Sequence, residues 1–248
     1  MSSNKKLSNP QTAALSVIEL RQYTLHHGKC DVLIDIFERE FVDAQEKAGI
    51  RVVGQFRDLD EPDRFVWLRG FPDMQSRPRR LESFYSCPGW KANRDMVNEI
   101  LVDYDNVLLL RNAWSNSGFQ IADSPRTDSS GTPLVTADIH HLRPGATDEF
   151  TVFFKTRLES FLKRAGAANL AALVTETAAN NYPRLPVRDG ESVFVSFHIF
   201  ESLASYDSHL KSLDRATAWP AVRTEMVRWH AKPPQTLRLA PTSRSKLG

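Results

Sequence analysis

Arg21, Tyr23, Trp67 and Arg69 occupy alternate positions of two short strand-like stretches, residues 18–23 and 66–69. Side chains alternate across a strand, so these four share one face with Glu19. Two arginines on such a face suit a carboxylate or an enolate, Tyr23 suits proton donation, and Trp67 an apolar wall. A second pair of stretches places Thr136, Asp138, His140, Ser196 and His198 in the same way. There a histidine could act as a base with Asp138 as its orienter. A two-histidine, one-carboxylate metal set is also conceivable, but no metal is assigned, because no ligand spacing beyond strand alternation supports one. The structural alternative makes Glu19, Arg21 and Asp138 a satisfied salt-bridge network that holds two sheets in register. The residue pattern leaves network and pocket both open.

Further polar groups sit on helical stretches. Trp90 and Arg94, like Trp219 and Arg223, are four residues apart and share a helix face. With Tyr85 the first pair could close a pocket mouth, or it could simply pack a helix on a sheet. His26 and His27 lie in a turn, His209 and His230 on helices, and Arg77, Arg79 and Arg80 read as a solvated cluster. The sequence contains no GxGxxG, Walker loop, GxSxG or HExxH, so nucleotide binding and hydrolysis have no motif behind them.

Composition excludes some partners. The 248 residues carry a formal charge of +2, too little to imply a nucleic acid. No apolar run has the length of a membrane span. Cys30 and Cys87 form no CxxC and imply a reducing compartment, and residues 1–16 have neither a signal peptide's apolar core nor an arginine. A cytoplasmic protein is the expectation.

The elements that must position these residues come twice. LRQYTLHHG from Leu20 and ADIHHLRPG from Ala137 are 117 residues apart, as are Gly49 and Gly166, which close the helical patterns that follow. Further on, Val66-Trp67-Leu68-Arg69 matches Val195-Ser196-Phe197-His198 at an offset of 129, and so do Trp90 with Trp219 and Arg94 with Arg223. The change of offset places about twelve extra residues around 180–190. Each copy reads strand, helix, strand, strand, helix, strand. The divisions are a disordered segment 1–16, a first unit 17–113, a linker 114–134, a divergent second unit 135–241 and a mobile tail 242–248.

The stretches IELRQYTLHHGKCDVLIDIFE, GIRVVGQFRDLDEPDRFVWLRGFPDM and LESFYSCPGWKANRDMVNEILVDYDNVLLL resemble a NIPSNAP domain along nearly all of the first copy. Pro78 departs from the pattern, because it falls inside the helix expected after Asp73 and requires that helix to start late or kink. The resemblance implies an α+β fold of two ferredoxin-like βαββαβ units forming a dimeric α+β barrel within one chain. On that fold the apolar set Ile18, Leu20, Val66 and Leu68, with Val135, Ala137, Val195 and Phe197, is expected beneath the helices. The polar and aromatic sets are then expected to line a barrel interior. Relatives in the wider superfamily include cofactor-independent monooxygenases and haem-binding chlorite dismutase-like enzymes, and fold does not select among them.

The leading expectation is a barrel that binds a small, partly apolar organic molecule without a cofactor, with monooxygenase-like or isomerase-like chemistry. The ligand candidates are Arg21, Tyr23, Trp67, Arg69, Tyr85, Trp90, Asp138, His140 and His198. The alternatives are a scaffold or adaptor with a filled interior and a haem protein. Monomer and homodimer are both compatible, since a chain of two units can close its own barrel.

Overall fold

The computed structural model describes residues 15–121 and 132–248. The first half runs β1 (Val17–Leu25), α1 (Cys30–Ile36), α2 (Val42–Lys47), β2 (Arg51–Asp58), β3 (Arg64–Phe71), α3 (Arg77–Tyr85), α4 (Pro88–Ile100), β4 (Leu101–Asp103) and β5 (Val107–Asn112). The second runs β6 (Leu134–His141), α5 (Thr147–Phe153), α6 (Glu159–Arg164), β7 (Ala168–Thr175), β8 (Val193–Phe200), α7 (Leu203–Arg215), α8 (Trp219–Val227) and β9 (Gln235–Pro241). Each half is therefore a βαββαβ unit, with β4 an addition that pairs only with the end of β1.

In both halves a π-turn joins the first two helical pieces, at Phe37–Phe41 and at Phe154–Leu158, 117 residues apart. An α-helix of 3.6 residues per turn drifts by about 40° for every four residues. The wider π-turn reduces that drift and keeps Leu33, Phe37, Phe41 and Gln45 in one row above the sheet. Both helical rods stop at a glycine of positive φ, Gly49 at 78° and Gly166 at 108°, where a side chain would be strained. The 117-residue offset is thus carried by backbone geometry as well as by residue type.

Eight strands close into a ring of antiparallel neighbours, β1–β3–β2–β9–β6–β8–β7–β5 and back to β1. The halves join at two seams. At one, Phe56 of β2 faces Pro241 of β9; at the other, Leu110 of β5 faces Thr175 of β7.

The ring reverses the expected assignment of faces. Ile18, Leu20, Val66 and Leu68 point into the barrel and pack against Val135, Ala137, Val195 and Phe197 from the other half, all buried. The barrel interior is filled mainly by these apolar side chains. Glu19, Arg21, Trp67 and Arg69 lie outside it, beneath the helices of the first half, where Phe37 meets the Trp67 ring at 4.8 Å. Asp138, His140 and His198 lie on the corresponding outer face of the second half. The reason is steric and polar together. An eight-stranded barrel is just wide enough for its own side chains, whereas helices crossing the outer face can bring hydrogen-bond partners to buried charges.

Two further expectations are corrected. Residues 242–248 do not form a free tail: Arg244 pairs with Asp43, Lys246 with Glu46, and Leu247 joins the apolar barrel cluster. Arg77 is not solvated but fully buried. The expected linker is only partly within the described residues, since 122–131 lie outside them; the same holds for residues 1–14 of the N-terminal segment. The late start required by Pro78 is seen: it falls in the first turn of α3, which begins after Ser76.

On the second half's outer face, His140 Nδ1 and His230 Nε2 are 3.1 Å apart, within hydrogen-bond reach, and His140 packs against Phe150 and Phe194. Burial pushes His140 down to about 4 and also lowers His230 and His209. A histidine kept neutral in the fold takes up a proton on unfolding. Its contribution is full above about 6.5 and is lost as pH falls from there through about 4. The melting temperature followed by circular dichroism should therefore fall between about pH 7 and about pH 4.5, and fall less in His140→Phe. Equal falls in the two proteins would assign the pH dependence elsewhere.

Candidate functional site

Glu19 is the centre of the site. It lies on β1 directly opposite Arg69 of β3, and Arg21 follows two residues later on the same face. Its Oε2 accepts from Arg21 Nη1 at 2.6 Å and from Arg69 Nε at 2.8 Å. Its Oε1 accepts from Arg77 Nε at 2.8 Å. Arg77 reaches it from the first turn of α3, because Asp73 Oδ1 accepts from the Ser76 N–H at 2.6 Å and the helix opens only after that turn. All four side chains are fully buried. Burial by itself would raise the Glu19 pKa, but Arg69, Arg21 and Arg77 outweigh it and hold the carboxyl well below the usual carboxylate range.

One carboxylate serves three guanidinium groups, so positive charge is in excess. Part of it is directed toward the helices. Arg21 Nε donates to the Tyr23 hydroxyl at 2.8 Å. Arg69 Nη1 donates to the Tyr85 hydroxyl at 3.4 Å and to Gln45 Oε1 at 3.3 Å. Each tyrosine oxygen is thereby an acceptor, and its own proton remains to be given. Burial raises Tyr23, and Arg21 only partly offsets that, so the phenol stays protonated at neutral pH. The buried donors without an acceptor among the described residues include Arg21 Nη2, Arg69 Nη2, Gln45 Nε2 and Trp67 Nε1. Buried donors are rarely left so.

Gln45, Trp67, Tyr23 and Tyr85 line a cavity of about 340 Å³ between the sheet and the helices. The row Leu33, Phe37, Phe41 and Gln45 roofs it, and Tyr23 and Trp67 meet edge-to-face at 5.8 Å on its floor. Trp90, Arg94 and Tyr104 stand around it from α4 and the turn after β4, and Tyr182 and Arg184 reach it from the β7–β8 connection. Arg94 and Arg184 are largely exposed there and paired with Asp95 and Glu82. No histidine and no carboxylate is among the lining residues.

Of the residues singled out from sequence, Arg21, Tyr23, Trp67, Arg69, Tyr85 and Trp90 come together here. A network and a pocket both occur, but neither where expected: the network is confined to the first half without Asp138, and the pocket lies outside the barrel interior, in front of that network. Asp138, His140 and His198 do not join it. Asp138 bonds Thr236 at 2.5 Å and pairs with His198 at 3.3 Å beneath the second half's own helices. Among the described residues no group of three or more His, Cys, Asp or Glu is placed to hold a metal ion. Sequence reading missed Gln45, Arg77 as an inward group, and Tyr182. The twelve-residue insertion was the visible signal for Tyr182, but not for where it would dock.

Replacing Glu19 tests the hierarchy of this cluster. Breaking a buried pair by removing one partner costs about 3–5 kcal/mol, and here three arginines lose their anion together. Glu19→Gln should lower the free energy of unfolding in urea by that order, whereas Asp138→Asn, whose partner is a histidine, should cost less. A Glu19→Gln protein as stable as the wild type would show that the arginines do not depend on it.

Comparison with known proteins places this geometry. Residues 18–116 match the NIPSNAP family model. No curated protein matches the chain. Among solved structures, an anthrone oxidase-like protein superposes with a TM-score of 0.61 at 13% identity, covering 92% of each chain. A candidate monooxygenase from Fusobacterium nucleatum subsp. nucleatum ATCC 25586 gives a TM-score of 0.59 at 12% identity, covering 92% of this chain and 93% of that one. Both likenesses show the two-unit α+β barrel fold. A NIPSNAP family protein from Agrobacterium tumefaciens str. C58 is 15% identical, with a TM-score of 0.41 over 50% of this chain and 98% of that one. The first half of this chain is thus where the likeness to the NIPSNAP family lies.

Proposed function

We propose that the helix–sheet cavity of the first half binds a small aromatic molecule in an oxyanion form, a carboxylate, phenolate or enolate, and stabilises that charge. The observation that supports this is the set of buried donors without acceptors beside an aromatic cavity. A neutral hydrocarbon would leave those donors unpaired, and a cation would face the excess arginine charge. An oxyanion supplies acceptors to Gln45 Nε2 and Trp67 Nε1, which line the cavity in front of the arginines, while its rings fill the aromatic space.

The chemistry open to such a site is limited by its lining. With no carboxylate or histidine at the cavity, the protein acts as an acid and an electrostatic clamp. An enolate held by Tyr23, Tyr85 and the arginines behind them is the form that reacts with dioxygen without a cofactor. It is also the form that Tyr23 could re-protonate in an isomerisation. The fold shared with an anthrone oxidase-like protein and a candidate monooxygenase is in keeping with this reading. A histidine-ligated haem does not fit: no histidine lines the cavity, and His209 and His230 are engaged with Ala165 O and His140. The adaptor reading called for a filled interior; the barrel is filled, but this cavity is open.

Trp67 and Trp90 line the cavity and give the readout. Quenching of tryptophan fluorescence should report binding of 2-naphthoate, with neutral 2-naphthamide bound roughly tenfold or more weakly, the worth of a charge-assisted hydrogen bond. Tyr23→Phe should weaken 2-naphthoate by a similar factor and leave 2-naphthamide nearly unchanged. Equal affinity of the two probes for the wild-type protein would overturn the proposal.

A further inference from the structure

The connection between β7 and β8 spans residues 176–192, whereas its counterpart between β2 and β3 spans only 59–63. A connection of that length without helix or strand is costly to order unless specific contacts hold it. It crosses the β5–β7 seam and seats on the first half. Arg188 N donates to Val107 O at 2.9 Å, and Asn181 Nδ2 to Met74 O at 2.6 Å. Asn180 Oδ1 and Asn181 Oδ1 accept from Arg77 Nη1 at 3.0 and 2.9 Å, so the connection docks on the same arginine that holds Glu19.

Tyr182 is the aromatic side chain this connection buries, with 8% of its surface exposed. Its hydroxyl donates to Glu82 Oε2 at 2.9 Å, and its ring lies within 16° of parallel to Tyr85 at 6.3 Å. It forms part of the cavity wall, together with Leu185.

The second half has no comparable use for its own helix–sheet space. By the offsets of 117 and 129, Phe150 stands where the first half has Leu33, and Phe194 where it has Phe65. Leu162 replaces Gln45 and His140 replaces Tyr23. Phe194 packs on Phe150 at 5.1 Å, a ring pair for which the first half, with Leu33 at the equivalent of Phe150, has no counterpart. One half therefore holds the donors, and the other supplies a wall.

We propose that Tyr182, contributed by the second half, is a specificity-determining residue of the first-half cavity, and that Asn180 and Asn181 position it through Arg77. This rests on the aromatic-oxyanion reading above. With the ligand's charged oxygen fixed by the donors, the size of its apolar body is limited by what stands across the cavity, and Tyr182 is part of that limit. Removing its ring enlarges the space without touching a donor.

The test uses the full chain and two probes, 2-naphthoate and anthracene-2-carboxylate, read by tryptophan quenching. The wild-type protein should prefer the two-ring acid. Tyr182→Ala should shift the affinity ratio toward the three-ring acid by roughly fivefold or more, about 1 kcal/mol. Tyr182→Phe should keep the wild-type ratio, because the ring remains. Asn180→Ala with Asn181→Ala should shift the ratio in the same direction as Tyr182→Ala. If near-ultraviolet circular dichroism shows that Tyr182→Ala has not folded, Tyr182→Leu, which keeps an apolar anchor, should give the same shift. An equal loss of affinity for both probes would reduce Tyr182 to a structural role and overturn this inference, while leaving the aromatic-oxyanion reading intact. Failure of the wild-type protein to bind either probe would overturn both.

Discussion

A single buried carboxylate, Glu19, holds the first half of this protein together. It accepts from arginines on β1, on β3 and on α3, and Arg77 carries the connection on to Asn180 and Asn181 of the other half. Taking a carboxylate and three guanidinium groups out of water is expensive, and only short charge-assisted bonds offset the cost. The offset is incomplete on the positive side. That incompleteness is what makes the cluster more than a brace: it leaves donors and field strength for something the cavity can admit.

The filled barrel serves as the platform for this cluster. Its interior contains apolar side chains from both halves, interlocked around a closed ring of strands, and such packing tolerates little movement. Side chains standing on the outer face of those strands inherit that rigidity, which suits a site whose donors must be preorganised. The two halves share the frame down to the π-turn in the first helical rod. They differ in what stands between helices and sheet. In the first half that space holds the arginine cluster and a cavity. In the second it holds phenylalanine rings and buried histidines, of which His140 is kept neutral by its burial. The divergence is one of contents, on a conserved outline of strands and helices within the chain.

Much of the architecture was legible in the residues. The offsets of 117 and 129 locate both halves and the insertion between β7 and β8, because equivalent strands and helix-ending glycines recur in the same order. Strand alternation sorted Glu19, Arg21, Trp67 and Arg69 onto one face and Ile18, Leu20, Val66 and Leu68 onto the other, and Pro78 announced the late start of α3. Each of these is a local property: a dihedral preference, a period of two, a missing N–H.

Alternation alone determined which side chains travel together, but not which set faces the barrel, since a period of two is the same viewed from either side. Closure of the ring decided it, by enclosing one face where nothing could reach a charge and leaving the other to helices that carry Gln45, Tyr85 and Arg77. The placement of Tyr182 against Tyr85 was likewise beyond sequence reading, because those rings are 97 positions apart and meet only through the β5–β7 seam. Local preferences specify elements and their faces; which buried charge finds which partner depends on distances that exist only once the sheet has closed.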